Sequence, residues 1–369
     1  MLLSLLAAAM LAAQPSPPGA PFDVETVADL DHPWAMNFLP DGRMLVTEKA
    51  GRLLVVTQDG TVDMQVSGVP EVDFGGQGGL GDVILHPGFS RNGMIYLSYA
   101  EAGARNRRGA AVGRGTLDLE TGSLEDFEVI WRQDPKVTGR GHYGHRMRFS
   151  PDGQYLFISS GERQKFTPAQ SMKMNLGKII RLYPDGSIPE DNPFHDQGGV
   201  AREVWTLGMR NPLGIAFDNA GTLWEVEMGP AGGDEFQKIE RGENYGYPTV
   251  SNGDHYSGRE IPDHDTRPEF RAPDVWWTPV ISPSSLIIYD GAQFPAWQGS
   301  ALIGGLSSKA LVRVSLDCPD DPDGVCEAER FDMGTRIRGV VQGPEGNVWL
   351  LEDGGRRGDG RVFRLTPKD

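Results

Sequence analysis

Four short segments carry side chains that could do chemistry and that local patterning does not otherwise explain. His142-Tyr143-Gly144-His145-Arg146 sets two imidazoles three residues apart, and a carboxylate, Glu162, closes the next strand at Ser159-Ser160-Gly161. The two histidines lack a third ligand at matching spacing for a metal, whereas a carboxylate that folds back toward His142 would orient an imidazole used as a general base. Gly75-Gly76-Gln77-Gly78-Gly79-Leu80-Gly81 surrounds one amide with glycines, so backbone can approach a ligand closely, although the spacing is not that of a dinucleotide or phosphate loop. Gly208-Met209-Arg210-Asn211-Pro212, Glu227-Met228-Gly229-Pro230-Ala231-Gly232-Gly233-Asp234-Glu235 and Gly242-Glu243-Asn244-Tyr245-Gly246-Tyr247-Pro248 mix Gly and Pro with carboxylates. Such runs expose carbonyls and hard oxygens that suit calcium, and they equally suit plain turns. The last group is cationic: Lys309, and Arg336 with Arg338, which strand alternation puts on one face. Converging cations in an acidic chain require an anion, so a ligand with several carboxylates or phosphates is expected.

The elements that must position these residues recur along the chain. A turn of the Pro-Asp-Gly type followed by a short strand of Leu, Val, Ile and Trp occurs at Pro40-Asp41-Gly42, His86-Pro87-Gly88, Pro151-Asp152-Gly153, Asn219-Ala220-Gly221, Trp297-Gln298-Gly299 and Pro344-Glu345-Gly346. Six antiparallel units at irregular spacing, with almost no 3.6-residue periodicity, predict an all-β fold, a six-bladed β-propeller with four-stranded antiparallel blades. Asp23-Val24-Glu25-Thr26-Val27 precedes the first unit and is expected to supply an outer strand to the last blade, closing the ring. The longest connection, from about Gly242 to Val280, should crowd one rim of the channel, where ligand sites form.

Among the 369 residues, 38% are hydrophobic, enough for a sizeable core, and 51 acidic against 35 basic residues give a net charge of −16. That field repels phosphate backbones and anionic lipid, so nucleic acid is not an expected partner. The apolar start Met1 to Ala13, followed by Gln14-Pro15-Ser16-Pro17-Pro18-Gly19, matches the core and cleavage region of a secretory signal, though without a basic flank. It is too short to span a bilayer, and no other apolar run is long enough, so no membrane insertion is expected. Residues 1–13 therefore read as a signal peptide, 14–22 as a Pro-rich linker and 23–369 as one catalytic propeller, in a periplasmic or secreted protein. Cys318 and Cys326 are the only cysteines and bracket a short turn, which in an exported chain predicts a disulfide.

Taken in order, these segments resemble the soluble quinoprotein sugar dehydrogenases, the pyrroloquinoline quinone (PQQ) dependent glucose and aldose sugar dehydrogenases. The resemblance runs from about Leu30 to Leu365, through Leu30-Asp31-His32-Pro33-Trp34, Gly76-Gln77-Gly78-Gly79-Leu80-Gly81, His142-Tyr143-Gly144, Leu207-Gly208-Met209-Arg210-Asn211-Pro212, the run Gly242 to Pro248, and Arg336-Ile337-Arg338-Gly339. The six-bladed propeller is also that family's fold. The resemblance implies oxidation of an aldose at its anomeric carbon to a lactone, with hydride passing to calcium-bound PQQ and electrons then to an external acceptor. It implies His142 as general base with Glu162 as its partner, and Gln77, Arg210, Asn211, Lys309, Arg336 and Arg338 as holders of the PQQ tricarboxylate. Arg210 would also stabilise charge developing at the quinone oxygen, and Tyr256 would flank the ring. The carbonyls of Gly229 and Pro230 would bind the calcium that touches PQQ, and Glu235 with Tyr245 resembles a second calcium site of the aldose branch. A monomer or dimer is expected. His145 departs from the pattern, since a small residue usually precedes the Arg; an imidazole there could narrow the substrate entrance or pair with His142. Two other propeller functions stay open, a lactonase with a channel metal held by Glu, Asn and Asp, and a non-catalytic ligand-binding module. The cationic rim speaks against the first, and His142 with Glu162 against the second.

Overall fold

The turns fold as their residue types dictate. In the first, Asp41 Oδ1 accepts the backbone N–H of Arg43 at 3.0 Å and Gly42 takes a φ of +89°, a region that a side chain would strain. A computed structural model describes residues 14–319, 321, 324–355 and 357–368; the apolar segment 1–13, read as a signal peptide, lies outside the described residues. Around each turn the chain builds antiparallel strands into six sheets of four. Blade 1 comprises Pro33–Phe38, Met44–Glu48, Arg52–Val56 and Val62–Val66, and blade 2 Leu80–Leu85, Met94–Ala102, Arg108–Asp118 and Ser123–Arg132. Blade 3 comprises Gly144–Phe149, Leu156–Ser160, Lys178–Leu182 and Val204–Leu207, and blade 4 Pro212–Phe217, Leu223–Glu227, Asp234–Ile239 and Val275–Trp277. Blade 5 comprises Pro283–Ile288, Ala301–Gly305, Ala310–Ser315 and Cys326–Asp332. Blade 6 takes Ile337–Gln342, Val348–Glu352 and Asp359–Pro367 from the C-terminal end, and Phe22–Asp31 pairs with Asp359–Pro367 as its outer strand. The expected closure of the ring is present, and the fold is a six-bladed β-propeller.

The first strand of each blade lies beside the first strands of its two neighbours, which makes these six strands the inner ring. Hydrophobic clusters fill the gaps between blades, for example Leu45, Val55, Leu97 and Ala111 between blades 1 and 2. Packing on both faces leaves the second strands Met44–Glu48, Leu156–Ser160, Leu223–Glu227 and Ala301–Gly305 buried at every residue. Polar residues at the ends of such strands can reach only the channel or each other, and this is how the fold delivers chemistry to its centre. Cys318 and Cys326 are joined by a disulfide at the entry to the last strand of blade 5. The Pro-rich segment 14–22 lies along blade 6: Gln14 bridges Val24, and its amide donates to the Met333 carbonyl at 3.0 Å. No helix among the described residues is long and apolar enough to cross a membrane.

Candidate active site

His142 lies two residues before the first strand of blade 3 and Glu162 two residues after the second, so the pairing of Gly144 with Ser160 brings the two side chains together. His142 Nδ1 lies 2.5 Å from Glu162 Oε1, and both residues are buried. The carboxylate also accepts the backbone N–H groups of Gln164 at 2.8 Å, Phe166 at 2.6 Å and Lys165. Building that clamp puts Arg163, Gln164 and Phe166 at φ of +64°, +59° and +63°, and His142 itself at +50°. Non-glycine residues in this region cost free energy and collect at functional sites. Burial pushes the His142 pKa below the ordinary imidazole value, against its hydrogen bond to Glu162, and Arg210 adds to the lowering. Burial alone would raise Glu162, but its bonds to His142 and the Phe166 N–H hold it below the usual carboxylate range. At neutral pH the pair is therefore a neutral imidazole donating from Nδ1 to a carboxylate, with the Nε2 lone pair available to a proton.

His142 lines a pocket of about 230 Å³ with Glu162, Arg210, Pro230, Tyr247 and Tyr256. Arg210 Nη1 donates to the Met228 carbonyl at 2.7 Å and Nη2 reaches the Tyr256 hydroxyl at 3.4 Å, while Nε is buried without a partner. Glu227 Oε2 accepts the backbone N–H groups of Arg210 at 2.5 Å and Asn211 at 2.8 Å, fixing that loop from below. Burial and the neighbouring Glu235 push the Glu227 carboxyl up to about 8.

Beside this pocket lies a cavity of about 610 Å³ whose lining includes Lys49, Gln77, Met228, Arg336, Arg338 and Asp353. Gln77 joins the two spaces, since its Oε1 accepts the His142 N–H at 2.6 Å. Arg338 Nε donates to Asp353 Oδ2 at 2.9 Å, and Arg336 Nε lies 3.5 Å from Oδ1, an ion-pair distance that leaves Nε without a hydrogen bond. Burial would raise Asp353, yet Arg338 and Arg336 hold its carboxyl far below the usual range. Lys49 Nζ donates to the Gly76 carbonyl at 2.9 Å, and burial together with Arg338 lowers its pKa.

The model of the family described as "Glucose / Sorbosone dehydrogenase" matches residues 30–364, nearly the whole propeller. The chain belongs to this family. Among its relatives, aldose sugar dehydrogenase YliI of Escherichia coli K12 is 38% identical over 359 residues, covering 95% of this chain and 94% of that protein. A crystal structure of a glucose dehydrogenase superimposes with a TM-score of 0.88 at 40% identity, covering 94% of this chain and 99% of the other. The PQQ-bound form of an aldose sugar dehydrogenase from Streptomyces coelicolor superimposes with a TM-score of 0.76 at 26% identity, covering 96% of this chain and all of the other, 100%.

Of the residues expected at the site of this family member, His142, Glu162, Arg210 and Tyr256 meet in one pocket, and Gln77, Arg336 and Arg338 in the adjoining cavity. Asn211 is buried with Oδ1 unpartnered. Lys309 is exposed and does not line the cavity, although Leu306 of the same turn does. The cations expected to call for an anionic ligand have one anion within the protein, Asp353, which pairs with both Arg336 and Arg338. His145 makes no contact with His142; it is buried, 2.7 Å from Ser98 Oγ, in the cavity lining. The Tyr245 hydroxyl is taken by the Lys238 carbonyl at 2.6 Å and the Glu240 N–H at 2.9 Å, whereas Glu235 Oε1 lies 3.5 Å from His264 Nε2, so these two side chains point to different partners. Lys49 and Asp353 join the site without having been expected there, and Tyr247 enters it from the run Gly242 to Pro248, from which Tyr245 was expected instead.

Proposed function

We propose that this protein is a PQQ-dependent aldose sugar dehydrogenase that oxidises the anomeric carbon of a sugar to a lactone. The observation that carries this reading is a neutral His142, oriented by Glu162, in a pocket that adjoins a cavity bearing Lys49, Arg336 and Arg338. The residues suit PQQ: Lys49, Arg336 and Arg338 line the cavity and would set cations against a tricarboxylate, while Gln77 and Arg210 would add an amide and a guanidinium. The volume of about 610 Å³ lies in the range of small-molecule sites. Calcium would rest on oxygen from the backbone. The Gly229 and Pro230 carbonyls accept no hydrogen bond among the described residues, Pro230 lines the His142 pocket, and no three His, Cys, Asp or Glu side chains among those residues form a cage, so ligand oxygens would complete the sphere. If Glu235 and Tyr245 share a second calcium, Tyr245 contributes its backbone carbonyl, its hydroxyl being occupied.

In the reaction His142 Nε2 takes the proton of the anomeric hydroxyl and Glu162 stabilises the imidazolium that forms. When bound, calcium-held PQQ supplies the quinone that receives the hydride from the anomeric carbon and so carries the redox chemistry. Arg210, its guanidinium fixed by Met228 and its backbone by Glu227, sits to stabilise negative charge near His142. Tyr256, 77% exposed, covers the mouth over Arg210. Loss of one proton and one hydride leaves the lactone, and the electrons pass to an external acceptor. A periplasmic or secreted location accords with the Cys318–Cys326 disulfide.

The test loads apoprotein with calcium and PQQ, follows uptake by absorbance and then measures dye reduction with several aldoses. PQQ-dependent reduction by an aldose is the expected result. A fully loaded protein that reduces no dye with any aldose would overturn the reading.

A further inference from the structure

We infer that His145 is a binding residue of the cationic cavity, an uncharged donor in its floor whose Nε2–H bonds an oxygen of the cofactor. The inference rests on the reading above for the identity of that cofactor. Three neighbours fix the ring. Trp34 stacks on it at 4.9 Å between centroids and 12° between planes, and the Arg146 guanidinium lies 3.9 Å from the same indole. Ser98 Oγ meets Nδ1 at 2.7 Å. Gly81 packs against the Nδ1–Cε1 edge so closely that a Cβ there would lie 2.3 Å from Nδ1 and 2.0 Å from Cε1, which explains why the last residue of the glycine cluster has no side chain.

The hydrogen bonds also fix the tautomer. Ser98 Oγ already accepts the Asp82 N–H at 2.8 Å, and its own proton has no other acceptor among the described residues. The hydroxyl therefore donates to Nδ1, and the ring hydrogen sits on Nε2. On that opposite edge Nε2 has no partner among the described residues, yet it is not one of the sealed, unpartnered atoms, so it opens on the cavity that His145 lines with Gln77, Arg336 and Arg338. Burial, reinforced by Arg146, pushes the imidazole down to about 3, so the donor stays neutral. A neutral donor held by packing adds direction where the cations add mainly charge, and it is in place before the ligand arrives.

The test is equilibrium titration of apoprotein with PQQ in the presence of calcium, read by absorbance of the bound quinone, with thermal melting of each apo variant. His145→Leu fills the ring's volume without a donor, and His145→Asn can reach Ser98 but not the cavity edge. Both should weaken PQQ binding by about 10- to 100-fold while melting cooperatively. His145→Gln, which keeps an N–H near the Nε2 position, should stay within about threefold of wild type. Wild-type affinity in either His145→Leu or His145→Asn overturns the inference, as does equal loss in Gln and Asn, which would show that packing rather than the donor matters. A wild-type protein that takes up no PQQ would instead refute the cofactor reading on which the inference rests.

Discussion

The His142 pocket and the cationic cavity each turn on one carboxylate, and the fold holds the two with different groups. Glu162 is fully buried and gripped by three backbone N–H groups, so the backbone holds the acid and the acid holds the base. Asp353 keeps 16% of its side chain exposed and is held chiefly by the side chains of Arg336 and Arg338, with a single backbone N–H, that of Gly355, at 2.8 Å. The first arrangement is preformed and owes nothing to a ligand. The second is a charge balance that a polyanion must enter and share. On the proposed reading, proton transfer depends on a rigid half of the site and affinity on an adjustable half.

Substitutions can separate the halves. His142→Ala should lower turnover by about 10²- to 10⁴-fold in steady-state dye reduction while absorbance shows PQQ occupancy unchanged. Arg338→Ala should do the reverse, weakening PQQ by about 10- to 100-fold in equilibrium titration with turnover of the loaded protein little altered. Asp353→Asn removes the internal competitor for both guanidiniums and should tighten PQQ by roughly 3- to 10-fold in the same titration. Lys309→Ala, at an exposed position outside the cavity lining, should change affinity by no more than about fivefold, an effect that salt screens. If Asp353→Asn slowed turnover instead of changing affinity, the division into two halves would fail.

The propeller could be read from the chain because its turns are local: Asp41 and Gly42 act within one hairpin, and the copies repeat. Glu162 was legible for a similar reason, lying just past a strand whose partner begins two residues after His142. Asp353 and Lys49 were not, because Asp353-Gly354-Gly355 and Lys49-Ala50-Gly51 look like ordinary turn residues. What places them is position in the blade. Second strands end at Glu48, Ser160, Glu227, Gly305 and Glu352, and the residues that follow, Lys49, Glu162, Met228, Leu306 and Asp353, all line one of the two spaces. Counting from the strand ends would have found both. Alternation put Arg336 and Arg338 on one side, and both line the cavity and pair with Asp353, although Arg336 stands just before the strand Ile337–Gln342. Tyr247 comes from the long connection between Ile239 and Val275, whose path no local pattern specifies.

The pH dependence of kcat/KM for an aldose, measured on PQQ-loaded wild type and Glu162→Gln from roughly pH 4 to 9, tests the base most directly. His142 must be neutral to accept a proton, and burial favours its neutral form. Activity should therefore be level at neutral pH and fall in acid with a midpoint below the free imidazole value of about 6.5. Glu162 raises the His142 pKa, so Glu162→Gln should move that midpoint to still lower pH as well as reduce the plateau. A wild-type midpoint above about 6.5, or one that Glu162→Gln leaves in place, would contradict a neutral His142 supported by Glu162 as the base.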